Sequence, residues 1–170
     1  MTARREQSRP EKVTRQQKGR EFEEQVARWL RTQFSKYKPT VLTNQFANGQ
    51  TVNRPYQIDV HAHFTTGTLF RQEHDVWVEC KWKEQSSVKR TDVIKLVSSA
   101  QDVFQACQIG RNSIYFDGLM LVTNQRFDVD AFNCARQHDV LCIRYDGKRY
   151  QQQFEIENWL DEPAWLKRIA

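Results

Sequence analysis

The chain of 170 residues lacks the features that would place it in a membrane or a disulfide scaffold. No apolar run approaches the roughly 20 residues that a spanning helix needs. The first residues carry charge with no apolar stretch behind them, which argues against a secretory leader. Cysteine is sparse: Cys80, Cys107, Cys134 and Cys142 form no C-x-x-C pair and have no histidine at zinc-finger spacing. Reduced thiols in a cytoplasmic protein are the reading this supports. There is no internal repeat, and 39% hydrophobic with 12% aromatic residues excludes global disorder. The body also lacks a net charge. The formal excess of +5 lies wholly within residues 1–20, where Arg15, Lys18 and Arg20 follow four earlier basic residues against only Glu6 and Glu11. The remaining chain is balanced.

What is present suits one domain, since domains commonly run roughly 100–200 residues. Residues 1–12 are polar and contain Pro10, and read as a basic flexible arm ahead of a domain over 13–170. If the five net charges of residues 1–20 met phosphates, log K for a DNA duplex would fall with log[salt] at a slope of roughly 4–5. From Val13 a helical pattern begins, and Phe22, Val26, Trp29, Leu30 and Phe34 mark one apolar stripe; Lys38-Pro39 ends it. Val41 to Phe46 reads as a strand before a turn at Asn48-Gly49. Over residues 56–64, Ile58, Val60, Ala62 and Phe64 are expected on one face and Asp59, His61 and His63 on the other. After a turn at Thr65 to Thr68, Val76, Val78, Cys80 and Trp82 alternate with Trp77, Glu79 and Lys81. Ser86-Ser87 are expected to cap a second helix through Cys107, with Val93, Leu96, Val97, Ala100 and Phe104 inward. Gly118 to Val122 is an apolar run typical of a strand covered on both faces. A short helix over Val129 to Gln137, a strand over Val140 to Tyr145 and a closing helix over Phe154 to Ile169 complete the order α-β-β-β-α-β-α-β-α. The expected class is α/β, a mixed sheet flanked by helices.

The chemistry concentrates on the two neighbouring strands. Glu79 and Lys81 point the same way, with Cα atoms about 6.6 Å apart, and the hairpin connection can bring Asp59 alongside. Two carboxylates held together repel and resist ionising. A divalent cation resolves this, because Mg²⁺ takes oxygen ligands at about 2.1 Å. A neighbouring ammonium can orient an attacking water and neutralise charge that builds on phosphorus. That is a phosphodiester-hydrolysis site in outline.

Asp59 followed by Glu79-Cys80-Lys81 resembles the PD-(D/E)xK signature of restriction-endonuclease-like nucleases. Gly19-Arg20-Glu21-Phe22-Glu23 is similar to the G-x-x-F-E helix start of the Mrr-type branch. The segment from Glu79 to Leu96, and Gly118 to Asn124 followed by Phe127 and Ala131, resemble that branch as well. The likeness covers roughly residues 17–146. It implies a restriction-endonuclease-like fold and a Mg²⁺-dependent endodeoxyribonuclease, with Mn²⁺ as a substitute. Asp59, Glu79 and the backbone carbonyl of Cys80 would hold the metal, Lys81 would serve the attacking water, and Glu23 would complete the site. Glu23 borders the buried stripe of its helix, whereas Glu24, Arg28 and Arg31 lie on the polar side. The chain departs from the family pattern where Ile58, not proline, precedes Asp59; Pro55 lies four residues upstream of Asp59.

Other features are weighed beside this. His61 and His63 share the face of Asp59, and an H-x-H pair can bind zinc, although no third ligand stands at suitable spacing. Trp82 is expected in the core, while Trp77 shares the face of Glu79. Arg15, Lys18 and Arg20, with Lys83, Lys89 and Arg90 after the E-x-K triplet, are candidate contacts to a nucleic-acid backbone, which position but do not read sequence. One active site cuts one strand, so cleavage of a duplex suggests a homodimer. Target choice would then rest on the arm, on loops such as 65–75, or on a protein partner, and restriction, repair or junction resolution, and mobile-element roles all stay open. The rival reading is a catalytically silent module of the same fold that binds nucleic acid or a protein.

Overall fold

A computed structural model describes residues 14–67, 71–156 and 159. The arm over 1–12 and nearly all of the closing helix lie outside the described residues. The elements are α1 (Arg15–Gln33), a single 3₁₀ turn (Ser35–Tyr37), β1 (Thr40–Ala47), β2 (Tyr56–Thr66), β3 (Gln72–Lys81), α2 (Arg90–Gln108), β4 (Gly118–Thr123), α3 (Val129–Gln137), β5 (Val140–Tyr145) and β6 (Tyr150–Gln152). The strands form one mixed sheet in chain order. β1, β2 and β3 run as an antiparallel meander, β3, β4 and β5 pair in parallel through α2 and α3, and β6 returns antiparallel to β5.

Two apolar layers hold the sheet. Phe22, Val26 and Leu30 of α1 pack on Val60, Phe64, Val78, Met120 and Val122. On the other face Val93, Leu96 and Val97 of α2 and Ala131, Cys134 and Ala135 of α3 cover Trp77, Leu119, Leu121 and Cys142. Every residue of β4 is buried, as expected of a strand covered on both faces. All four cysteines are free thiols. Among the described residues no helix is long and apolar enough to cross a membrane.

Several expectations need correction. The second helix starts at Arg90, not after Ser86-Ser87. Val88 is held extended by a parallel bridge to Phe127, which delays the helix, and the carboxylate of Asp92 in its first turn then accepts the Lys89 N–H at 2.9 Å. The chain after β5 forms the three-residue strand β6, and residues 154–156 are not helical. Within the stretch 65–75, β2 runs to Thr66 and β3 starts at Gln72, and residues 68–70 lie outside the described residues.

The alternation along β2 also breaks. Val60, Ala62 and Phe64 pack beneath α1, but Ile58 packs with Trp77 on the α2 side. The change of face falls at Asp59. Its place opposite Asn44 is missing from the β1–β2 ladder, and Asn44 has φ 52°, a left-handed conformation that asparagine tolerates better than most residues.

Candidate active site

The site lies at the C-terminal end of β3, where its ladder with β2 stops. The last pair is Val60 with Val78; continuing it would set Asp59 opposite Glu79 and then Ile58 opposite Cys80. Instead Asp59 Oδ2 accepts the Cys80 N–H at 2.8 Å, satisfying a donor that the broken ladder leaves over. A strand residue directs its N–H and C=O to the same neighbour, so the Cys80 carbonyl lies on this edge too. Two residues apart on β3, Lys81 Nζ donates to Glu79 Oε1 at 2.5 Å, with the side chains 24% and 16% exposed. Glu23 on α1 is half-buried and within electrostatic reach of Glu79 and Lys81. The structure therefore gathers Glu23, Asp59, Glu79 and Lys81, with the main chain of Cys80, at one strand end.

Burial, reinforced by the Glu79 charge, pushes the Asp59 carboxyl from 3.8 to about 7, against the lowering effect of the Cys80 N–H. Glu23 is raised by burial and then by Glu79. Burial would lower the Lys81 ammonium, but the charge and hydrogen bond of Glu79 outweigh it and raise it. Burial holds the Cys80 thiol well above its ordinary range.

These groups fit a hard divalent cation, because two mutually repelling carboxylates and a main-chain carbonyl offer only oxygen. Among the described residues no three His, Cys, Asp or Glu side chains gather into a ready-made metal site. The histidines are engaged elsewhere: His61 Nε2 lies 2.6 Å and His63 Nδ1 3.1 Å from Asp75 Oδ1. Burial would raise the Asp75 carboxyl, but its hydrogen bonds with His61 and His63 outweigh this and hold it below 3.8. Trp77 is 2% exposed, packed against the rings of Tyr56 and Phe116, which rules out stacking on a base. Trp82 packs on Phe22 with ring centroids 5.4 Å apart.

Three of the six basic candidates are ion-paired: Lys18 with Glu84 at 3.4 Å, Lys83 with Asp92 at 2.8 Å and Lys89 with Asp128 at 3.2 Å. Arg15, Arg20 and Arg90 are exposed. Two supports of the site were not singled out by sequence reasoning. Asn124, just past β4, accepts the Lys83 N–H at 2.8 Å and donates to the Lys83 carbonyl at 2.8 Å, while Thr123 Oγ1 donates to the Lys81 carbonyl at 2.8 Å. On α2, Lys95 and Ser99 line a cavity shared with Asp59 and Glu79; their spacing of four residues is the only signal that joins them.

No protein-family model matches the sequence, and no curated protein matches it. Among solved structures the fold is similar to that of AF1548, a protein of unknown function, with TM-score 0.50 and 17% identity over 69% of this chain and 55% of that one. MspJI restriction endonuclease, in complex with a 27-mer oligonucleotide, aligns with TM-score 0.46 and 17% identity over 72% of this chain and 25% of that one. The chain thus spans about half the length of the first and a quarter of the second. The likeness to AF1548 is one of fold: a mixed sheet with helices on both faces.

Proposed function

We propose that the chain is a metal-dependent DNA endonuclease of the PD-(D/E)xK type, with a sequence pattern nearest the Mrr branch. The observation that carries this reading is the meeting of Asp59, Glu79 and Lys81 at the broken end of the β2–β3 ladder. Asp59, Glu79 and the Cys80 carbonyl would hold Mg²⁺, or Mn²⁺ in its place. When bound, the ion supplies Lewis-acid polarisation of the scissile phosphate and offsets the repulsion between the two carboxylates. Lys81, held by Glu79, orients the attacking water and stabilises charge that develops on the phosphate. Glu23 closes the α1 side of the site and helps orient that water.

The substrate in this reading is DNA, with backbone contacts from Arg15, Lys18, Arg20, Lys83, Lys89 and Arg90. A phosphate approaching Lys18, Lys83 or Lys89 competes with the carboxylate each already holds, so Arg15, Arg20 and Arg90 contribute most. One site cuts one strand, and concerted cleavage of both strands then points to a homodimer.

Supercoiled plasmid incubated with the purified chain, with and without Mg²⁺ or Mn²⁺, tests the reading against Lys81→Ala. Metal-dependent nicking by the wild type that Lys81→Ala abolishes is expected. Equal behaviour of the two proteins sinks it, and favours a silent nucleic-acid-binding module.

A further inference from the structure

The cleft beside the carboxylates has a second wall. A cavity of about 320 Å³ opens between β2 and α2, bounded by Asp59 and Glu79 on the sheet and by Lys95 and Ser99 on the helix. Asp92, Lys95 and Ser99 fall three and four residues apart, so they share one line of α2. Val93, Leu96, Val97 and Ala100 pack beneath that line into the core.

Two members of the line are already committed. Asp92 holds Lys83 Nζ at 2.8 Å and the Lys89 N–H at 2.9 Å. Ser99 is buried beside the Tyr56 hydroxyl. Lys95 is exposed, and no ion pair or hydrogen bond engages its ammonium among the described residues. It is therefore a cation facing a cleft whose opposite wall carries two carboxylates, with no anion of its own.

The wall opposite Lys95 is rigid. Asp102, one turn beyond Ser99, accepts Thr51 N at 2.9 Å, Thr51 Oγ1 at 2.8 Å and the Tyr56 hydroxyl at 3.1 Å. The Gln50 N–H adds a bond to the Asp102 carbonyl at 3.2 Å. The β1–β2 loop is thus fastened to α2, and the gap between Gln57 and Lys95 is set by the fold. An anionic strand entering this gap is repelled by Asp59 and Glu79, and a cation at a fixed place on the far wall offsets that repulsion.

We propose that Lys95 binds a backbone phosphate of the substrate strand beside the scissile one, as a positioning residue that takes no part in bond cleavage. This rests on the nuclease reading above and names the side of the cleft on which the strand is held. A single phosphate contact weakens binding evenly across sequences when removed and lowers the salt slope by about 1.

The test compares wild type, Lys95→Ala and Lys95→Arg as full chains cutting a fluorophore-labelled synthetic DNA duplex in Mg²⁺ and in Mn²⁺. The same duplex binding to Asp59→Asn, alone and with Lys95→Ala or Lys95→Arg, is followed by anisotropy across a salt series. Lys95→Ala should raise KM about tenfold with kcat within about twofold, and lower the salt slope by about 0.9. Lys95→Arg should restore both. Unchanged KM and salt slope in Lys95→Ala, beside an active wild type, overturn this inference and leave the nuclease reading standing. A fall in kcat at unchanged KM overturns it too, by moving Lys95 into the chemistry. A wild type that cuts nothing in either metal ion removes the nuclease reading; the salt slopes still decide whether Lys95 holds a phosphate.

Discussion

The carboxylate of Asp59 stands where the carbonyl of Ile58 would meet Cys80 if the β2–β3 ladder ran on, and it accepts the Cys80 N–H at 2.8 Å. One side chain both repairs the broken ladder and supplies an oxygen donor at the site. The repair is costly because Asp59 is buried beside Glu79, which raises its carboxyl from 3.8 to about 7. For a raised acid, the fold favours the protonated form. Its contribution to stability is complete below pH 3.8 and is lost as pH rises through about 7. The metal-free protein should lose at most about 4 kcal/mol across that window, at about 1.36 kcal/mol per pKa unit. Asp59→Asn should flatten this fall, and Mg²⁺ should restore stability above pH 7 in the wild type only. Thermal unfolding at a series of pH values, with and without Mg²⁺, checks this; a wild-type curve parallel to that of Asp59→Asn would refute it.

Glu23 contributes charge to the site without a hydrogen bond to its members. Its carboxyl is raised by burial and then by Glu79, so neutralising it relieves repulsion in the metal-free protein. Glu23→Gln should leave thermal stability equal or slightly higher. Plasmid nicking should fall about 10- to 100-fold, the range seen when a supporting group of a metal site is removed. Initial rates of nicking beside a melting curve separate the two effects, and an unchanged rate would remove Glu23 from the site.

The loop after β3 is positioned from β4. Asn124 mimics a strand partner by bonding both the N–H and the carbonyl of Lys83 at 2.8 Å. Asn124→Ala leaves the half-buried Lys83 N–H without its partner, while the Lys83 carbonyl keeps the bond from Gln125 Nε2 at 3.2 Å, and should cost about 1–3 kcal/mol. Lys81 sits two residues before this clamp, so nicking should fall as well. Urea unfolding measures the first effect. Hydrogen exchange of the amides over 82–87 should quicken, and unchanged exchange there would mean that the clamp does not hold the loop.

Where a pattern is local, it was legible. The short helix keeps the expected limits Val129–Gln137, with Asp128 Oδ1 accepting the Ala131 N–H at 2.7 Å at its start; β5 keeps the expected limits Val140–Tyr145. The alternation on β3 set Glu79 and Lys81 on one face, and the helical line on α1 set Glu23 inward of the exposed Glu24, whereas Asp59 meets them from the break in the β2 alternation. What escaped depends on distant partners. Val88 delays α2 because it bridges to Phe127, far along the chain. Ile58 changes face because Asp59 turns to Cys80. β6 is three residues on a polar edge, too short and too hydrophilic to announce a strand. Lys95 reads as an ordinary solvated position on a helix until the sheet brings Asp59 and Glu79 opposite.

Gly49 and Asp102 should prove energetically coupled. A β-carbon on Gly49 would overlap Asp102 Oδ2 and come within 2.8 Å of the Tyr56 ring and of a Val52 methyl. The turn thus needs glycine for close approach to a carboxylate that itself fastens Thr51 and Tyr56. Asp102→Ala removes three side-chain hydrogen bonds and should cost about 2–4 kcal/mol, taking roughly 1 kcal/mol per bond. Gly49→Ala should cost a similar amount by forcing the carboxylate aside. In the double variant the overlap with Oδ2 disappears, so the combined loss should fall short of the sum by about 1–2 kcal/mol. The loop over 48–55 borders the cleft of Asp59 and Glu79, so both single variants should also slow nicking. A denaturant-unfolding cycle of the four proteins measures the coupling. Strict additivity would mean that the loop is held by other contacts, such as the hydrogen bond from Arg111 Nη1 to the Gln50 carbonyl at 2.8 Å, and that Asp102 does not set the width of the cleft.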